Sequence, residues 1–343
     1  MVPPPGPGLT ELELDEEGRP SRPLRILDLD ALSPDQVGEA TEAATLGTPA
    51  LVGVTRVRPT ESTDPLLEAL TCTLVAVPNL TDRDLPRTCV TVPDLDRAVA
   101  ALRATAEASP CATLTLVGLL RLTAEARVAD GLLAESLAYS MLLAGPEFLA
   151  WRERTPRRAI PPAAEPVRLF RVGDTLHVVL NRPDRHNAFD RGIRDGIVEA
   201  MGLCELDDSI SAVELSGAGP SFSSGGDLDE FGTTPHVAAA HLIRLRQSAG
   251  YSVHRVADRV RAVVHGSCIG AGIEVPAFAG RLDASDDARF QLPELRMGLV
   301  PGAGGTVSIT RRVGRWRTAY LALRAEPVDV TTAIAWGLVD SRV

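Results

Sequence analysis

Gly-Ala-Gly-Ile-Glu at residues 270–274 and Leu-Pro-Glu-Leu-Arg-Met-Gly-Leu-Val-Pro-Gly-Ala-Gly-Gly-Thr at residues 292–306 place two glutamates, Glu274 and Glu294, in glycine-rich and otherwise apolar surroundings. A carboxylate removed from water is costly unless it has a partner or a chemical task, so the pair indicates acid–base chemistry. A further glycine-rich stretch, Ser-Phe-Ser-Ser-Gly-Gly-Asp, lies upstream at residues 221–227. Its backbone N–H groups are candidates for stabilising an oxyanion. Together these stretches predict a catalytic site.

The composition is that of a long, acidic chain without lysine. Its 343 residues suffice for one large domain or two smaller ones with a sizeable core. A formal net charge of −10 argues against a nucleic-acid surface. All 35 basic residues are arginine, which excludes a Schiff-base lysine, a pyridoxal-phosphate linkage and a Walker-type phosphate loop. Any phosphate on a ligand must therefore meet arginine or backbone N–H groups.

Cysteine and histidine patterns give no sign of a metal site. The five cysteines contain no Cys-x-x-Cys pair, and the six histidines lack metal-ligand spacing. We therefore expect free thiols, no metal and no cofactor. The sequence has no run of about 18 apolar residues, and its first residues lack the basic and apolar segments of a secretory signal. These features predict a cytoplasmic protein without a membrane segment.

Composition and hydrophobic periodicity divide the chain into four parts. Residues 1–22 are rich in proline, glycine and acid, which predicts a disordered tail. We expect a non-catalytic α/β region over residues 23–158, a linker over 159–166, and an α/β catalytic region with parallel strands over 167–343. Periodicity predicts strands at 25–28, 50–54, 72–77, 175–180, 212–216 and 261–265, and helices at 34–44, 94–108, 112–122, 131–143, 191–204 and 241–256.

The second region resembles the crotonase (enoyl-CoA hydratase/isomerase) superfamily over nearly its whole length. Four pieces in family order carry the resemblance: Leu-Asn-Arg-Pro-Asp-Arg-His-Asn-Ala at 180–188, Phe-Ser-Ser-Gly-Gly-Asp-Leu at 222–228, His-Gly-Ser-Cys-Ile-Gly-Ala-Gly-Ile-Glu at 265–274, and Phe-Gln-Leu-Pro-Glu at 290–294 followed by Pro-Gly-Ala-Gly-Gly-Thr at 301–306. The resemblance implies an α/β fold with a crotonase-like ββα spiral core.

The resemblance also implies roles for four residues. The backbone N–H groups of Gly226 and Ala271 match the family's oxyanion hole, and a helix after Ala271 would add a favourable dipole there. Glu294 would exchange the proton at Cα, and Glu274 would orient and activate a water molecule. Family hydratases keep both acids, whereas isomerases and several other branches keep one, so the pair predicts hydration of an enoyl-CoA double bond.

Coenzyme A enters only as part of the substrate in this interpretation. The resemblance implies that the turn at 182–188 and the loop at 224–228 grip it, largely through backbone atoms. The predicted substrate-binding residues are Arg185, Asn187, Ala188, Ser224, Asp227 and Leu228. Arg185 is a candidate for phosphate contact, and a solvated arginine on a turn is the alternative. The expected partner is an acyl-CoA thioester, with no nucleic acid and no membrane.

The N-terminal region contains a stretch that resembles a helical segment of crotonases. In crotonases a helical trimerisation segment follows a Gly-Leu-Val like the one at 337–339, and residues 90–158 look like that segment. We therefore expect this region to be a decayed crotonase copy or a permuted helical segment that packs on the catalytic core. A homotrimer or hexamer follows from the resemblance. Pro276 departs from the family pattern and requires the helix after Ala271 to begin close to Ile273.

Two other interpretations stay open at this stage. Another crotonase reaction, such as double-bond isomerisation, thioester hydrolysis or decarboxylation, would use the same fold and oxyanion hole. From a different class, an inactive crotonase could serve as an assembly partner. The intact glutamate pair argues against a pure scaffold, because two acids in an apolar site are costly to keep.

Overall fold

The computed structural model describes residues 11–46, 49–60, 63–159, 164–234, 236–324 and 326–343. Residues 1–10 of the predicted disordered tail lie outside this set. Residues 11–22 form a turn instead of a disordered segment, which corrects that prediction. An isolated bridge joins Leu14 to Pro20, and Arg22 pairs with Glu13 at 2.5 Å. Local hydrogen bonds therefore order a stretch whose composition alone indicated disorder.

A small parallel sheet begins the chain. Its four strands lie in sequence order: β1 (Leu24–Asp28), β2 (Ala50–Thr55), β3 (Cys72–Val75) and β4 (Cys89–Thr91). All six residues of β2 are buried, as expected for an inner strand with both faces covered. The crossovers contain α1 (Pro34–Leu46) and α2 (Asp64–Ala69).

Four helices follow this sheet and account for most of residues 90–158. They are α3 (Leu95–Ala108), α4 (Pro110–Thr123), α5 (Val128–Leu143) and α6 (Pro146–Arg154). The side chain of Asp94 caps α3 by accepting a hydrogen bond from the Arg97 N–H at 3.0 Å. Prolines begin α4 and α6 at positions where no backbone donor is needed.

The second half contains a six-stranded sheet in the order β13-β10-β8-β7-β6-β5. Strands β5 (Val167–Val172) and β6 (Thr175–Leu180) form an antiparallel hairpin, and the neighbours from β6 to β13 pair in parallel. The remaining strands of this sheet are β7 (Ala212–Gly217), β8 (Val260–Val264), β10 (Arg281–Ala284) and β13 (Ser341–Arg342). Strands β9 (Ser267–Ile269), β11 (Arg289–Gln291) and β12 (Val328–Asp329) form a separate three-stranded sheet.

Helices of this half differ from prediction at two breaks. Instead of one helix over 241–256, the chain forms α8 (Val237–Arg246) and α9 (Ala249–Arg255), because Ser248 leaves the helical conformation and its Oγ accepts the Tyr251 N–H at 3.2 Å. The helix before Pro276 is the single turn α10 (Ala271–Glu274), and a 3₁₀ turn starts at the proline. Helices α7 (Arg191–Leu206), α11 (Gly305–Arg324) and α12 (Val330–Trp336) complete the fold.

The two halves share one hydrophobic core. Buried side chains of α4, such as Leu116 and Leu120, belong to the same contiguous cluster as Val307 and Leu321 of α11. Residues 90–158 thus pack on the catalytic region within a single chain, as predicted, whereas the trimer or hexamer stays a prediction. Among the residues described, no single helix is long and apolar enough to cross a membrane, although α5 and α6 together, bent by 62°, meet both requirements.

Candidate active site

A cavity of about 1200 Å³ lies between the two halves of the chain. Helices α5 and α6 form one wall, and α8, α9 and the loops around Gly226 and Gly302 form the others. All four residues predicted to carry the chemistry line it: Gly226, Ala271, Glu274 and Glu294. The tertiary structure thus brings together three sequence segments that the resemblance had placed in one site.

Glu274 is buried and is held by backbone donors. It ends the one-turn helix α10, with 2% of its surface exposed. Its Oε2 accepts hydrogen bonds from the N–H groups of Ala303 at 2.8 Å and Gly305 at 2.9 Å. Burial raises the pKa of Glu274 above its usual range, and these donors oppose the rise because they stabilise the charged form. The residue is therefore suited to carry a negative charge in a site shielded from water.

Glu294 is equally buried but is held differently. It begins a 3₁₀ turn, Glu294–Met297, and is 6% exposed. Among the described residues, no group donates a hydrogen bond to its Oε2. Burial, and then the charge of Glu274, raise the pKa of Glu294 well above its usual range. Both effects favour the neutral form of Glu294 more than the backbone-bonded Glu274.

Gly270 lies between the two carboxyl groups. Its φ of 49° is in the range that favours glycine, and a Cβ built there would lie 2.5 Å from Oε1 of Glu294 and 3.8 Å from Oε1 of Glu274. Both carboxyl groups therefore face the same point of the backbone. Only a residue without a side chain leaves them room there.

The two predicted oxyanion donors lie on loops that are bonded to each other. Ser223 donates its N–H to Ser267 O at 3.0 Å and accepts from the Ile269 N–H at 3.1 Å. Phe189 bonds to the residues on either side of Gly226, so the Gly226 N–H points away from Phe189. Ala271 is the first residue of its helix, and its N–H therefore has no partner within the helix. Because that helix is a single turn, the predicted dipole contribution is small.

The side chain of Asn187 belongs to the fold, and its substrate contact stays a prediction. It is fully buried, and its Oδ1 accepts from the Arg182 N–H at 2.7 Å. Its Nδ2 donates to Ala218 O at 2.8 Å and Ser221 O at 2.9 Å. These three bonds fix the turn that the resemblance assigns to coenzyme A, so a ligand contact at this position would have to use backbone atoms.

Arg185 is half-buried, and its guanidinium is paired with two carboxylates. Its Nη2 lies 3.1 Å from Oδ2 of Asp227 and 3.1 Å from Oδ2 of Asp229. Asp227 is itself buried, and its Oδ1 accepts the Asp229 N–H at 3.1 Å, so its side chain anchors the loop. It also lines the cavity, and its substrate contact stays a prediction. The phosphate contact of Arg185 stays a prediction, and it would require this ion pair to share the guanidinium. Of the other predicted contacts, Ala188 is buried, Ser224 is half-buried and Leu228 is exposed.

The N-terminal half contributes residues to the cavity that were not predicted from the sequence. Glu135 and Tyr139, both on α5, line it, although this half was predicted to be non-catalytic. A sequence signal was present, because Glu135 is an acid in the middle of α5, beyond the first turn that contains Asp130, and apolar residues precede it at 132–134. On α6, Arg152 Nη1 donates to Leu228 O at 2.8 Å and so tethers the glycine loop that follows Ser221.

The chain is similar to a known protein family and to several of its members. The sequence profile described as enoyl-CoA hydratase/isomerase matches residues 173–343. Mevalonyl-coenzyme A hydratase of Beauveria bassiana is 31% identical over 191 residues, which cover 52% of this chain and 68% of that protein. The 2,3-dehydroadipyl-CoA hydratase of Escherichia coli is 32% identical over 165 residues, which cover 48% and 64%, respectively. The chain thus spans about two thirds of the length of these relatives.

A solved structure is also similar to part of the chain. The enoyl-CoA hydratase from Thermoplasma volcanium is 31% identical, with a TM-score of 0.48, and the match covers 52% of this chain and 72% of that one.

Proposed function

This chain belongs to the enoyl-CoA hydratase/isomerase family, the crotonases, and from that premise we propose that its cavity hydrates the double bond of an enoyl-CoA thioester. The observation that carries the proposal is the contrast between the two buried acids. Glu274 accepts two backbone hydrogen bonds, whereas Oε2 of Glu294 accepts none among the described residues. Paired titratable groups whose surroundings push their pKa values apart are suited to serve as base and acid.

The proposed reaction starts with the thioester oxygen between the N–H groups of Gly226 and Ala271. Glu274, as the carboxylate, takes a proton from a water molecule whose oxygen bonds to Cβ of the substrate. The electron pair of the double bond moves toward the thioester, and the enolate oxygen is stabilised by the two N–H groups. Each such donor contributes roughly 2.7–4 kcal/mol in enzymes where one has been removed.

Protonation of the enolate completes the addition. Neutral Glu294 gives its proton to Cα, so that water has been added across the double bond and both carboxyl groups have exchanged their protonation states. A proton passed from Glu274 back to Glu294 restores the starting state. General acid–base steps of this kind contribute typically about 10²–10⁴-fold to rate.

The assembly and location of the protein are also proposals. Members of the family act on acyl-CoA thioesters and usually form oligomers. We propose a homotrimer or hexamer in the cytoplasm. Light scattering on the purified chain would measure the mass directly, and a monomer at micromolar concentration would contradict the assembly.

Incubation with crotonyl-CoA tests the reaction. We expect the absorbance of the conjugated thioester to fall and a product heavier by one water to appear in the mass spectrum. Short-, medium- and long-chain enoyl-CoA esters would then define the preferred acyl group. A product of unchanged mass with a shifted double bond would instead assign isomerisation, and release of free coenzyme A would assign hydrolysis. Absence of turnover on every ester would contradict the proposal and favour an assembly partner.

A further inference from the structure

Four successive backbone N–H groups at the start of α11 are shared in alternation between two glutamates. The N–H groups of Ala303 and Gly305 donate to Oε2 of Glu274 at 2.8 and 2.9 Å. The intervening Gly304 N–H donates to Oε1 of Glu135 at 2.7 Å, and the Thr306 N–H donates to its Oε2 at 3.0 Å. The segment 303–306 therefore lies between two carboxyl groups, and movement of one would displace the donors of the other.

Glu135 is fixed in this position from several directions. It is 2% exposed, and its Oε2 lies 2.6 Å from the Thr306 hydroxyl oxygen. Thr123 of α4 donates its hydroxyl to Thr306 O at 2.8 Å, so a second helix of the N-terminal half holds the same residue. The acid is buried, and all its observed hydrogen bonds go to residues 304–306. Glu135 therefore stabilises the position of this one segment.

We propose that Glu135, from the half of the chain outside the family match, is a positioning residue for the acid–base pair and fixes the segment that binds Glu274. The inference rests on the proposed function, because it assigns Glu135 a task in the same reaction. It adds that the catalytic site of this chain is incomplete without α5. Glu135 itself forms no bond to substrate in this scheme.

Charge gives Glu135 a second effect on the pair. The titratable groups that face it are Glu274 on α10, Glu294 on the following 3₁₀ turn, Tyr139 on its own helix and Arg244 on α8. Arg244 lies over the Tyr139 ring at 4.7 Å. Burial and the charge of Glu274 raise the pKa of Glu135, and the charge of Glu135 adds to the causes that raise the pKa of Glu294. Removing that charge should let Glu294 lose its proton at lower pH.

Two substitutions separate position from charge. Glu135→Gln removes the charge and one of the two acceptor oxygens, whereas Glu135→Asp keeps the charge and withdraws the carboxylate by one methylene. We expect kcat on the best enoyl-CoA ester to fall roughly 10–100-fold in both with little change in KM, since misplacement by about 1 Å can cost about 10²-fold. Only Glu135→Gln should move the alkaline limb of the kcat/KM profile to lower pH.

Glu147→Gln is the matched control. Glu147 also belongs to the N-terminal half and also accepts two backbone N–H groups at the start of a helix, from Cys111 at 2.7 Å and Ala112 at 3.1 Å. It does not line the cavity. Its substitution should leave kcat and the pH profile as in the wild type. A loss of rate in Glu135→Gln that is equal at every pH, or equal in Glu147→Gln, would reduce Glu135 to a structural role and overturn the proposal.

A ligand-free measurement keeps this inference distinct from the proposed reaction. Titration of the side-chain carboxyl ¹³C signals of Glu274 and Glu294 by NMR requires no turnover. We expect the pKa of Glu294 to be lower in Glu135→Gln than in the wild type. If the wild type hydrates no ester but this shift is observed, the reaction assignment fails while the charge effect of Glu135 on Glu294 holds. If the wild type hydrates enoyl-CoA and the shift is absent, the charge effect assigned to Glu135 is wrong.

Discussion

Glu274 and Glu294 are buried on either side of Gly270, yet they differ in the hydrogen bonds that their Oε2 atoms accept. Oε2 of Glu274 accepts two backbone N–H groups, and no described group donates to Oε2 of Glu294. Burial disfavours the charged form of both acids, but the two hydrogen bonds to Glu274 oppose this effect, because hydrogen bonds to a carboxylate favour its charged form. This asymmetry supports the proposed roles of Glu274 as the base and Glu294 as the acid.

Glu294→Gln should remove the acid and preserve the shape of the cavity. We expect turnover on the true substrate to fall by about 10²–10⁴-fold, while the affinity for a saturated acyl-CoA ester stays within about twofold of wild type. Calorimetric titration with that ester measures the affinity independently of rate. A variant that keeps more than half of the wild-type rate would show that Glu294 is inert.

Glu274→Gln should also lower turnover severely, with a different pH signature. The acidic limb of the wild-type kcat/KM profile reports protonation of the base, and the raised pKa of Glu274 places this limb above the usual carboxyl range. In the variant this limb should vanish from the residual activity. If it persists unchanged, another group is the base.

The buried acids should make the fold less stable as pH rises. Burial raises the pKa values of Glu135, Glu274 and Glu294 in the folded chain, whereas an unfolded glutamate has a pKa near about 4.3. The folded state thus binds more protons, so the stability due to these groups is complete below that pH and declines as pH rises through the raised values.

Thermal unfolding measures this trend against a matched variant. We expect the Tm of wild type to fall between mildly acidic and mildly alkaline pH more steeply than the Tm of Glu274→Gln/Glu294→Gln. The opposite slope, or equal slopes in the two proteins, would contradict the raised pKa values.

Gly270→Ala and Gly202→Ala should act in opposite directions. A Cβ at residue 270 would lie 2.5 Å from Oε1 of Glu294 at a φ of 49°, and backbone strain of this kind costs about 1–3 kcal/mol. Gly202 lies within α7, with nothing within 4 Å of the added Cβ, so alanine there should stabilise the helix by about 1 kcal/mol. Urea unfolding measures both changes, and activity should be lost only in Gly270→Ala.

Removal of the N-terminal half should expose the apolar surface that it covers. A chain that begins at Pro166 lacks α4, whose Leu116 and Leu120 belong to the shared core, and lacks Glu135. We expect this shortened chain to aggregate or to change its assembly, since large exposed apolar patches promote association. Light scattering measures the number of subunits, and the crotonyl-CoA assay measures activity. A soluble, active protein with an unchanged number of subunits would refute the packing role assigned to residues 90–158.

The local features of the site could be predicted from sequence. Glu274, Glu294 and the glycines beside them lie in short stretches whose spacing indicates acid–base chemistry, and most predicted strands and helices occur within a few residues of their expected bounds. The break between α8 and α9 could not be predicted from periodicity, because apolar residues continue through it. It depends on the Ser248 side chain, which competes with the helix for a backbone donor.

The sequence by itself determined the family, the glutamate pair and the two glycine loops, because each is encoded in residues that are neighbours along the chain. Only the tertiary structure decided that Asn187 and Asp227 hold loops in place, that Oε2 of Glu294 has no donor among the described residues, and that Glu135 shares a segment with Glu274. These properties depend on burial and on partners distant in sequence. Such partners set the energy of a buried polar or charged group, and they come together only when the chain folds.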